Sequence, residues 1–151
     1  MKIKELGHVV LYVTDIEKMA GFYRNILGFM EVGNMEVGLK NGAVAFSSGR
    51  THHELLLIEI GGVSKHDYVP RPGLYHIGFK VADSSDELKE VFSELKEKGV
   101  TIIGTSDHVV THSIYILDPD GNELELYADI SDDWKNNPEL VMSRVRPLNL
   151  D

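Results

Sequence analysis

Two stretches of alternating apolar and polar residues repeat along the chain. Residues 7–13 read Gly-His-Val-Val-Leu-Tyr-Val, and residues 75–81 read Tyr-His-Ile-Gly-Phe-Lys-Val, so that His8 and His76 occupy equivalent positions. Alternation of β-branched and aromatic residues with other types is typical of a strand with one buried face. Asp15 and Asp83 follow these stretches at positions suited to capping a helix. The pattern therefore predicts a repeated strand–helix unit.

Each copy continues with one helix and three further strands. Apolar residues spaced three and four apart predict a helix that ends at Gly28 in the first copy and at Gly99 in the second. The strand-like stretches that follow are 29–37, 43–47 and 53–60 in the first copy, and 100–105, 113–117 and 123–127 in the second. Residues 118–122, Asp-Pro-Asp-Gly-Asn, predict a tight turn between the last two strands.

The order of these elements predicts an α+β fold. It consists of two βαβββ modules that form a cupped, barrel-like mixed sheet around a metal cleft, because one helix cannot cover both faces of a four-stranded sheet. The sequence does not decide whether the modules pair within one chain or across a dimer. We predict a single domain with a first module, a linker, a second module and a C-terminal tail, at residues 1–61, 62–72, 73–128 and 129–151. A short helix is expected in the tail after Asn137 and Pro138.

Strand alternation assigns the side chains to two faces. The residues expected to pack against the helices are Val9, Leu11, Val13, Ile77, Phe79, Val81, Leu124 and Leu126. The residues expected to face the cleft are His8, Val10, Tyr12, His76, Gly78, Lys80, Glu123, Glu125 and Tyr127. Two imidazoles and at least one carboxylate are thus directed towards one space.

This combination predicts a metal site. A buried carboxylate is costly without a cation, so Glu125 needs a positive partner, and His8 and His76 are suitable co-ligands. A set of nitrogen and oxygen donors suits Fe(II), Mn(II), Co(II), Ni(II) or Zn(II) and does not distinguish among them. The chain has no cysteine, which excludes thiolate ligands, iron–sulfur clusters and disulfides.

Composition narrows the functional classes further. The 151 residues correspond to roughly one domain, with 42% hydrophobic and 26% charged residues. A formal net charge of −9 makes nucleic acid and anionic membranes poor partners. Apolar stretches such as residues 9–13 are far shorter than the ~18 residues of a membrane span, and no signal-peptide core follows the N-terminus. A cytoplasmic protein is expected.

Four motifs resemble the vicinal oxygen chelate superfamily, which includes glyoxalase I, fosfomycin- and bleomycin-resistance proteins, methylmalonyl-CoA epimerase and extradiol dioxygenases. They lie at residues 7–13, 22–29 (Phe-Tyr-Arg-Asn-Ile-Leu-Gly-Phe), 72–79 (Pro-Gly-Leu-Tyr-His-Ile-Gly-Phe) and 115–126 (Tyr-Ile-Leu-Asp-Pro-Asp-Gly-Asn-Glu-Leu-Glu-Leu). The resemblance spans residues 6–127 and implies metal ligands at His8, His76 and Glu125.

Within that superfamily the chain is most similar to one-domain catechol-type extradiol dioxygenases. His108 and Tyr115 match a His and a Tyr that contact substrate and oxygen beside the iron, and His53 matches the second active-site His. The resemblance implies catalytic roles for these three residues, Fe(II) as the metal, and a small aromatic diol and dioxygen as substrates. A homodimer or higher homo-oligomer is expected.

Glu54 leaves a different function open. The repeat relates Glu54 to Glu125, and two His with two Glu would resemble the ligand set of glyoxalase I, a lyase or isomerase. His53 and Glu54 lie on opposite faces of one strand, so the sequence does not decide which of them faces the metal. A metal-free small-molecule binding or resistance protein is the third possibility, against which the converging His and Glu residues argue.

Overall fold

In a computed structural model of the chain, the described residues are 1–35, 42–63 and 72–151. The end of the predicted strand 29–37 and most of the predicted linker 62–72 lie outside them. The chain divides into two compact units, Met1–Asp67 with Pro119–Gly121, and Tyr68–Asp118 with Asn122–Asp151. Across the described ranges, no helix is long and apolar enough to cross a membrane.

The first unit contains one helix and a four-stranded sheet. Its elements are β1 (Val9–Val13), α1 (Ile16–Asn25), β2 (Met30–Met35), β3 (Ala43–Ser47) and β4 (Leu55–Glu59). The strand order is β1-β4-β3-β2, in which β1 and β4 run parallel and the other neighbours antiparallel. Tyr23 of α1 and Phe46 of β3 are fully buried, and Phe29 joins them in an aromatic cluster.

The second unit repeats this connectivity. Its elements are β5 (His76–Ala82), α2 (Ser85–Glu97), β6 (Ile102–Asp107), β7 (Thr111–Leu117), β8 (Glu123–Asp129) and β9 (Arg146–Pro147). The order β5-β8-β7-β6-β9 matches the first sheet, with β5 and β8 parallel and β9 added at the edge. The prediction of an α+β fold with two βαβββ repeats is confirmed, as two open sheets of four and five strands.

The tail adds short elements to the second unit. Two 3-10 helices cover Asp133–Lys135 and Pro138–Met142, so the short helix expected after Asn137 is confirmed. Strand β9 was not predicted, because a two-residue edge strand that contains a proline has no periodicity to detect.

The two helices begin with different caps. Asp15 caps α1 as predicted, and its Oδ1 accepts a hydrogen bond from the backbone N–H of Lys18 over 3.0 Å. The prediction of Asp83 as the cap of α2 is wrong, because Ser84 takes that position. The Ser84 hydroxyl accepts from the N–H of Glu87, while the Glu87 carboxylate accepts from the N–H of Asp83. The arrangement is a variant of the capping box, because Glu87 accepts from the residue before the cap and not from Ser84 itself.

Burial largely follows the predicted alternation. Leu11 and Val13 are buried in β1, whereas Tyr12 between them is 68% exposed. In β8, Leu124 and Leu126 are fully buried and alternate with half-buried polar residues. The prediction for Val81 is wrong: its side chain is 37% exposed and Ala82 is buried instead. A shift in the β5–β8 register between Lys80 and Ala82 causes this exchange.

The predicted turn at residues 118–122 forms between β7 and β8. Asp118 accepts hydrogen bonds from the backbone and side-chain amides of Asn122, both over 2.8 Å. Asp120, which belongs to the first unit, is buried and accepts from the Thr14 N–H over 2.8 Å and from the Thr14 hydroxyl over 2.5 Å. The turn therefore supplies a buried carboxylate to the end of β1.

Candidate metal and catalytic site

Strand register gathers polar side chains on one face of the second sheet. The parallel β5–β8 pairing sets His76 opposite Glu123 and Gly78 opposite Glu125. The antiparallel β7–β8 pairing sets Tyr115 opposite Glu125. Because alternate residues of a strand share a face, these side chains lie opposite the buried Leu124 and Leu126. With His108 from the β6–β7 turn, we call His76, His108, Tyr115, Glu123 and Glu125 the polar face.

The Glu125 carboxylate lies at the centre of the polar face. Its Oε2 is 3.1 Å from Nε2 of His76, and its Oε1 accepts a hydrogen bond from the Tyr115 hydroxyl over 3.0 Å. The Tyr115 oxygen in turn lies 2.7 Å from Nε2 of His108. Since the Tyr115 proton is directed to Glu125, its oxygen is left to accept from the N–H of His108. The structure thus brings together the four predicted site residues of this unit.

Tyr115 is a neutral hydrogen-bond donor in this environment. Burial raises its pKa above the ordinary value, and the negative charge and the hydrogen bond of Glu125 raise it further. A phenol with a raised pKa keeps its proton throughout the neutral range. The hydroxyl can therefore donate to an oxygen atom that gains negative charge.

A strained turn holds His108. The N–H of His108 donates to the carbonyl of Thr111, and the N–H of Val109 donates to Oδ1 of Asp107 over 2.6 Å. Val109 has a φ of 73°, a left-handed conformation that β-branched residues rarely adopt. Such strain persists only where neighbouring contacts enforce it, and it is common beside functional residues. The turn presents the His108 ring to Tyr115.

The first unit carries the other predicted histidines. His8 directly precedes β1, and its ring centroid lies 4.5 Å from that of His53. Nδ1 of His52 is 2.6 Å from Nδ1 of His53. Desolvation and then the charges of His52 and His8 lower the pKa of His53, against an opposing effect of Glu54. A neutral imidazole can bind a metal or accept a proton, so this direction suits either role.

Glu54 is engaged in the loop between β3 and β4. Its carboxylate accepts from the N–H and the hydroxyl of Ser48 over 2.9 Å and 2.8 Å, and it lies 3.3 Å from Nε of Arg50. Desolvation would raise the pKa of Glu54, but hydrogen bonds from Ser48 and Ser47 and the charge of Arg50 together lower it. The sequence did not decide whether His53 or Glu54 faces the metal. In the structure, His53 contacts His8, whereas Glu54 contacts Ser48 and Arg50.

The three-ligand metal set stays a prediction. Among residues 1–35, 42–63 and 72–151, no group of three or more His, Asp or Glu side chains is arranged to hold a metal ion. His76 and Glu125 form a pair within the second unit, and His8 belongs to the first unit. Glu123 was predicted to share their face but was given no role, and its pairing with His76 comes from the β5–β8 register, which was not predicted.

The chain belongs to the Glyoxalase/Bleomycin resistance protein/Dioxygenase superfamily, whose family model matches residues 5–126. It is 32% identical over 129 residues to a catechol-2,3-dioxygenase of Bacillus subtilis (strain 168), covering 82% of this chain and 41% of that protein. It is 31% identical over 150 residues to a biphenyl-2,3-diol 1,2-dioxygenase 3 of Rhodococcus globerulus, covering 94% and 75%. The chain therefore spans less than half the length of the Bacillus relative.

Relatives with another reaction also match. The metallothiol transferase FosB of Staphylococcus haemolyticus is 26% identical over 141 residues, covering 87% of this chain and 88% of that protein. Among solved structures, a glyoxalase family protein from Enterococcus faecalis superposes with a TM-score of 0.68 at 26% identity, covering 84% of this chain and 99% of that one. These likenesses establish the superfamily and its fold and leave the reaction open.

Proposed function

We propose that the chain is a metal-dependent extradiol ring-cleaving dioxygenase that acts on a catechol-type aromatic diol. The observation that carries the proposal is the row of contacts from His76 through Glu125 and Tyr115 to His108. A site that only binds a metal has no need of the last two residues. The identities of 32% and 31% to two diol dioxygenases support the same reaction.

The donor atoms of the polar face fit a divalent ion. Nε2 of His76 and Oε2 of Glu125 are 3.1 Å apart. Two ligands with bonds of about 2.1 Å at a right angle lie about 3.0 Å apart, so one ion can take both. We propose that His8 of the first unit completes the set, and that the ion is Fe(II), with Mn(II), Ni(II), Co(II) or Zn(II) as alternatives. When bound, the ion lowers the pKa of the diol and holds both reactants together.

The remaining residues have distinct proposed roles. His53, whose lowered pKa favours the neutral ring, accepts a proton from a diol hydroxyl and later returns it to the product. Tyr115, whose single proton Glu125 accepts in the structure, turns that proton to oxygen that gains negative charge when Glu125 binds the ion. His108 holds the Tyr115 hydroxyl in place over 2.7 Å. Both oxygen atoms of dioxygen enter the product, so the ring opening needs no external reductant.

The proposal is tested by single-turnover oxygen uptake. Metal-free protein is loaded with Fe(II) under anaerobic conditions and mixed with catechol or 2,3-dihydroxybiphenyl before oxygen is admitted. We expect a coloured ring-opened product with one dioxygen consumed per diol cleaved. Replacement of Glu97, an exposed residue of α2, by Gln is a matched control that should leave the yield unchanged. Absence of both colour and oxygen uptake contradicts the proposal.

Two other metal-dependent functions give different outcomes in parallel assays, and a metal-free binding or resistance protein would be inactive in all of them. A glyoxalase-type enzyme loaded with Ni(II) or Zn(II) would isomerise the hemithioacetal of methylglyoxal and glutathione without oxygen. The engagement of Glu54 by Ser48 and Arg50 argues against the four-ligand site that this reaction would use. The likeness to FosB makes thiol addition to fosfomycin the third assay.

A further inference from the structure

One ring nitrogen of His76 is buried within the polar face. Nδ1 of His76 is buried and makes no hydrogen bond within the described residues. The Glu123 carboxylate lies beside this nitrogen, with its Oε1 3.5 Å from Nδ1. A buried donor left unpaired costs about 1–3 kcal/mol, so this gap calls for an explanation.

The two carboxylates of β8 approach opposite edges of the His76 ring. Glu125 lies at the Nε2 edge over 3.1 Å, and Glu123 lies at the Nδ1 edge. The register explains this division, because Glu123 stands directly opposite His76 and Glu125 stands two residues further along the same face. The chain therefore presents one acceptor to each ring nitrogen.

We propose that Glu123 is a positioning residue that fixes the tautomer and orientation of His76; this rests on the proposed function. A neutral imidazole that gives its Nε2 lone pair to an ion carries its proton on Nδ1. Glu123 accepts that proton in a hydrogen bond once the two atoms move about 0.5 Å closer than the 3.5 Å that now separates them. Glu125 then binds the ion, and Glu123 does not.

The Glu123 side chain is confined in its surroundings. It stands directly opposite His76 in the β5–β8 register. The side chain of Glu123 is only 17% exposed, so it has little freedom to turn away. The acceptor is thus oriented before a metal arrives, which lowers the cost of ordering the ligand.

Zinc binding measures this role without any catalytic assay. Zn(II) is titrated into metal-free protein against a chromophoric chelator for wild type, Glu123→Ala, Glu123→Gln and the control Glu97→Gln. We expect Glu123→Ala to weaken binding by about 10–100-fold, the range for loss of an outer partner of a ligating histidine. Glu123→Gln, which keeps a neutral acceptor, should recover part of the loss, and Glu97→Gln should bind as wild type does.

Proton NMR of the zinc-loaded protein reports the bond itself. The Nδ1–H of His76 should give a protected, downfield resonance in wild type that is lost through exchange in Glu123→Ala. Equal affinity and an unchanged resonance in Glu123→Ala would overturn the proposal. A loss in Glu123→Gln as large as in His76→Ala, with the resonance retained, would also overturn it by making Glu123 a direct ligand.

Two further variants separate this proposal from the function beneath it. If His76→Ala and Glu125→Ala bind zinc as tightly as wild type, the metal site itself is wrong. If both lose zinc while Glu123→Ala retains it, the metal site stands and only the positioning role fails. Thermal unfolding of each variant identifies any that does not fold, and Glu123→Gln then decides the outcome because its shape is closest to that of the native residue.

Discussion

The Tyr115 hydroxyl lies between Nε2 of His108, 2.7 Å away, and Oε1 of Glu125, 3.0 Å away. It donates to the carboxylate and accepts from the imidazole, so its orientation depends on both neighbours. We expect Tyr115→Phe to lower kcat by about 10²–10³-fold, the cost of losing one donor to a developing oxyanion. Metal binding should be retained and should fall far less than in Glu125→Ala, because the phenol donates to the ligand Glu125 but is not itself a ligand. Steady-state kinetics and metal analysis check both statements.

The pairing of His108 with Tyr115 predicts non-additive effects. If His108 acts by holding the Tyr115 hydroxyl, His108→Gln in the Tyr115→Phe background should cost little more than Tyr115→Phe alone. A double-mutant cycle on kcat measures the coupling. Losses that simply multiply would show that His108 acts on the substrate independently.

Glu54 should contribute to stability and not to metal binding. Its pKa is lower in the folded chain than in the unfolded one, so the ionised carboxylate stabilises the fold above the ordinary value of 4.5. That contribution is lost as the pH falls through the folded pKa. We expect Glu54→Gln to reduce the free energy of unfolding by about 1–3 kcal/mol at neutral pH, through weaker hydrogen bonds with Ser48.

Denaturant unfolding of wild type and Glu54→Gln from neutral to acidic pH tests whether the ionised carboxylate stabilises the fold. The difference between the two proteins should shrink on acidification. A Glu54→Gln variant that keeps its stability but loses metal would instead support the four-ligand site.

Strand alternation predicted that His76, Glu123 and Glu125 share a face, because each belongs to a strand in which buried and polar residues alternate. The sequence pattern could not decide between Asp83 and Ser84 as the cap of α2. Both residue types cap helices well, and the choice depends on the backbone angles of two adjacent residues. The pattern misplaced Val81, because a bulge leaves no mark in a two-residue period. The hydrogen bonds and the ion pair of Glu54 involve Ser48 and Arg50. These two residues lie in a loop, where the alternation of a strand predicts nothing.

Removal of a bound metal should lower the thermal midpoint. A ligand present at 100 times its Kd stabilises the folded state by about 2.7 kcal/mol, which corresponds to about 5–10 °C for a chain of this size. We expect a chelator to lower the midpoint of the metal-loaded protein by that amount, and added metal to restore it. The double variant His76→Ala, Glu125→Ala should not respond, and a wild-type midpoint that also ignores the chelator would contradict the metal site.

Asp120 should be among the most sensitive positions of the first unit. It is buried and accepts two hydrogen bonds from Thr14, one of them from a backbone amide. We expect Asp120→Ala to reduce the free energy of unfolding by about 2–3 kcal/mol, because it leaves part-buried donors unpaired. Asp132→Ala, which removes an exposed ion pair with Lys135, is the control and should cost less than about 1 kcal/mol. Equal stability of the two variants would argue against this role.

The clamp between Thr14 and Asp120 also bears on synthesis of the chain. The ribosome synthesises β1–β4 long before Asp120, which lies in the β7–β8 turn. Until residue 120 has been synthesised, Thr14 lacks its two hydrogen bonds to Asp120. A peptide that contains only β1–β4 would lack these two hydrogen bonds at any concentration. The end of β1 therefore needs a residue from much later in the chain to complete its hydrogen bonding.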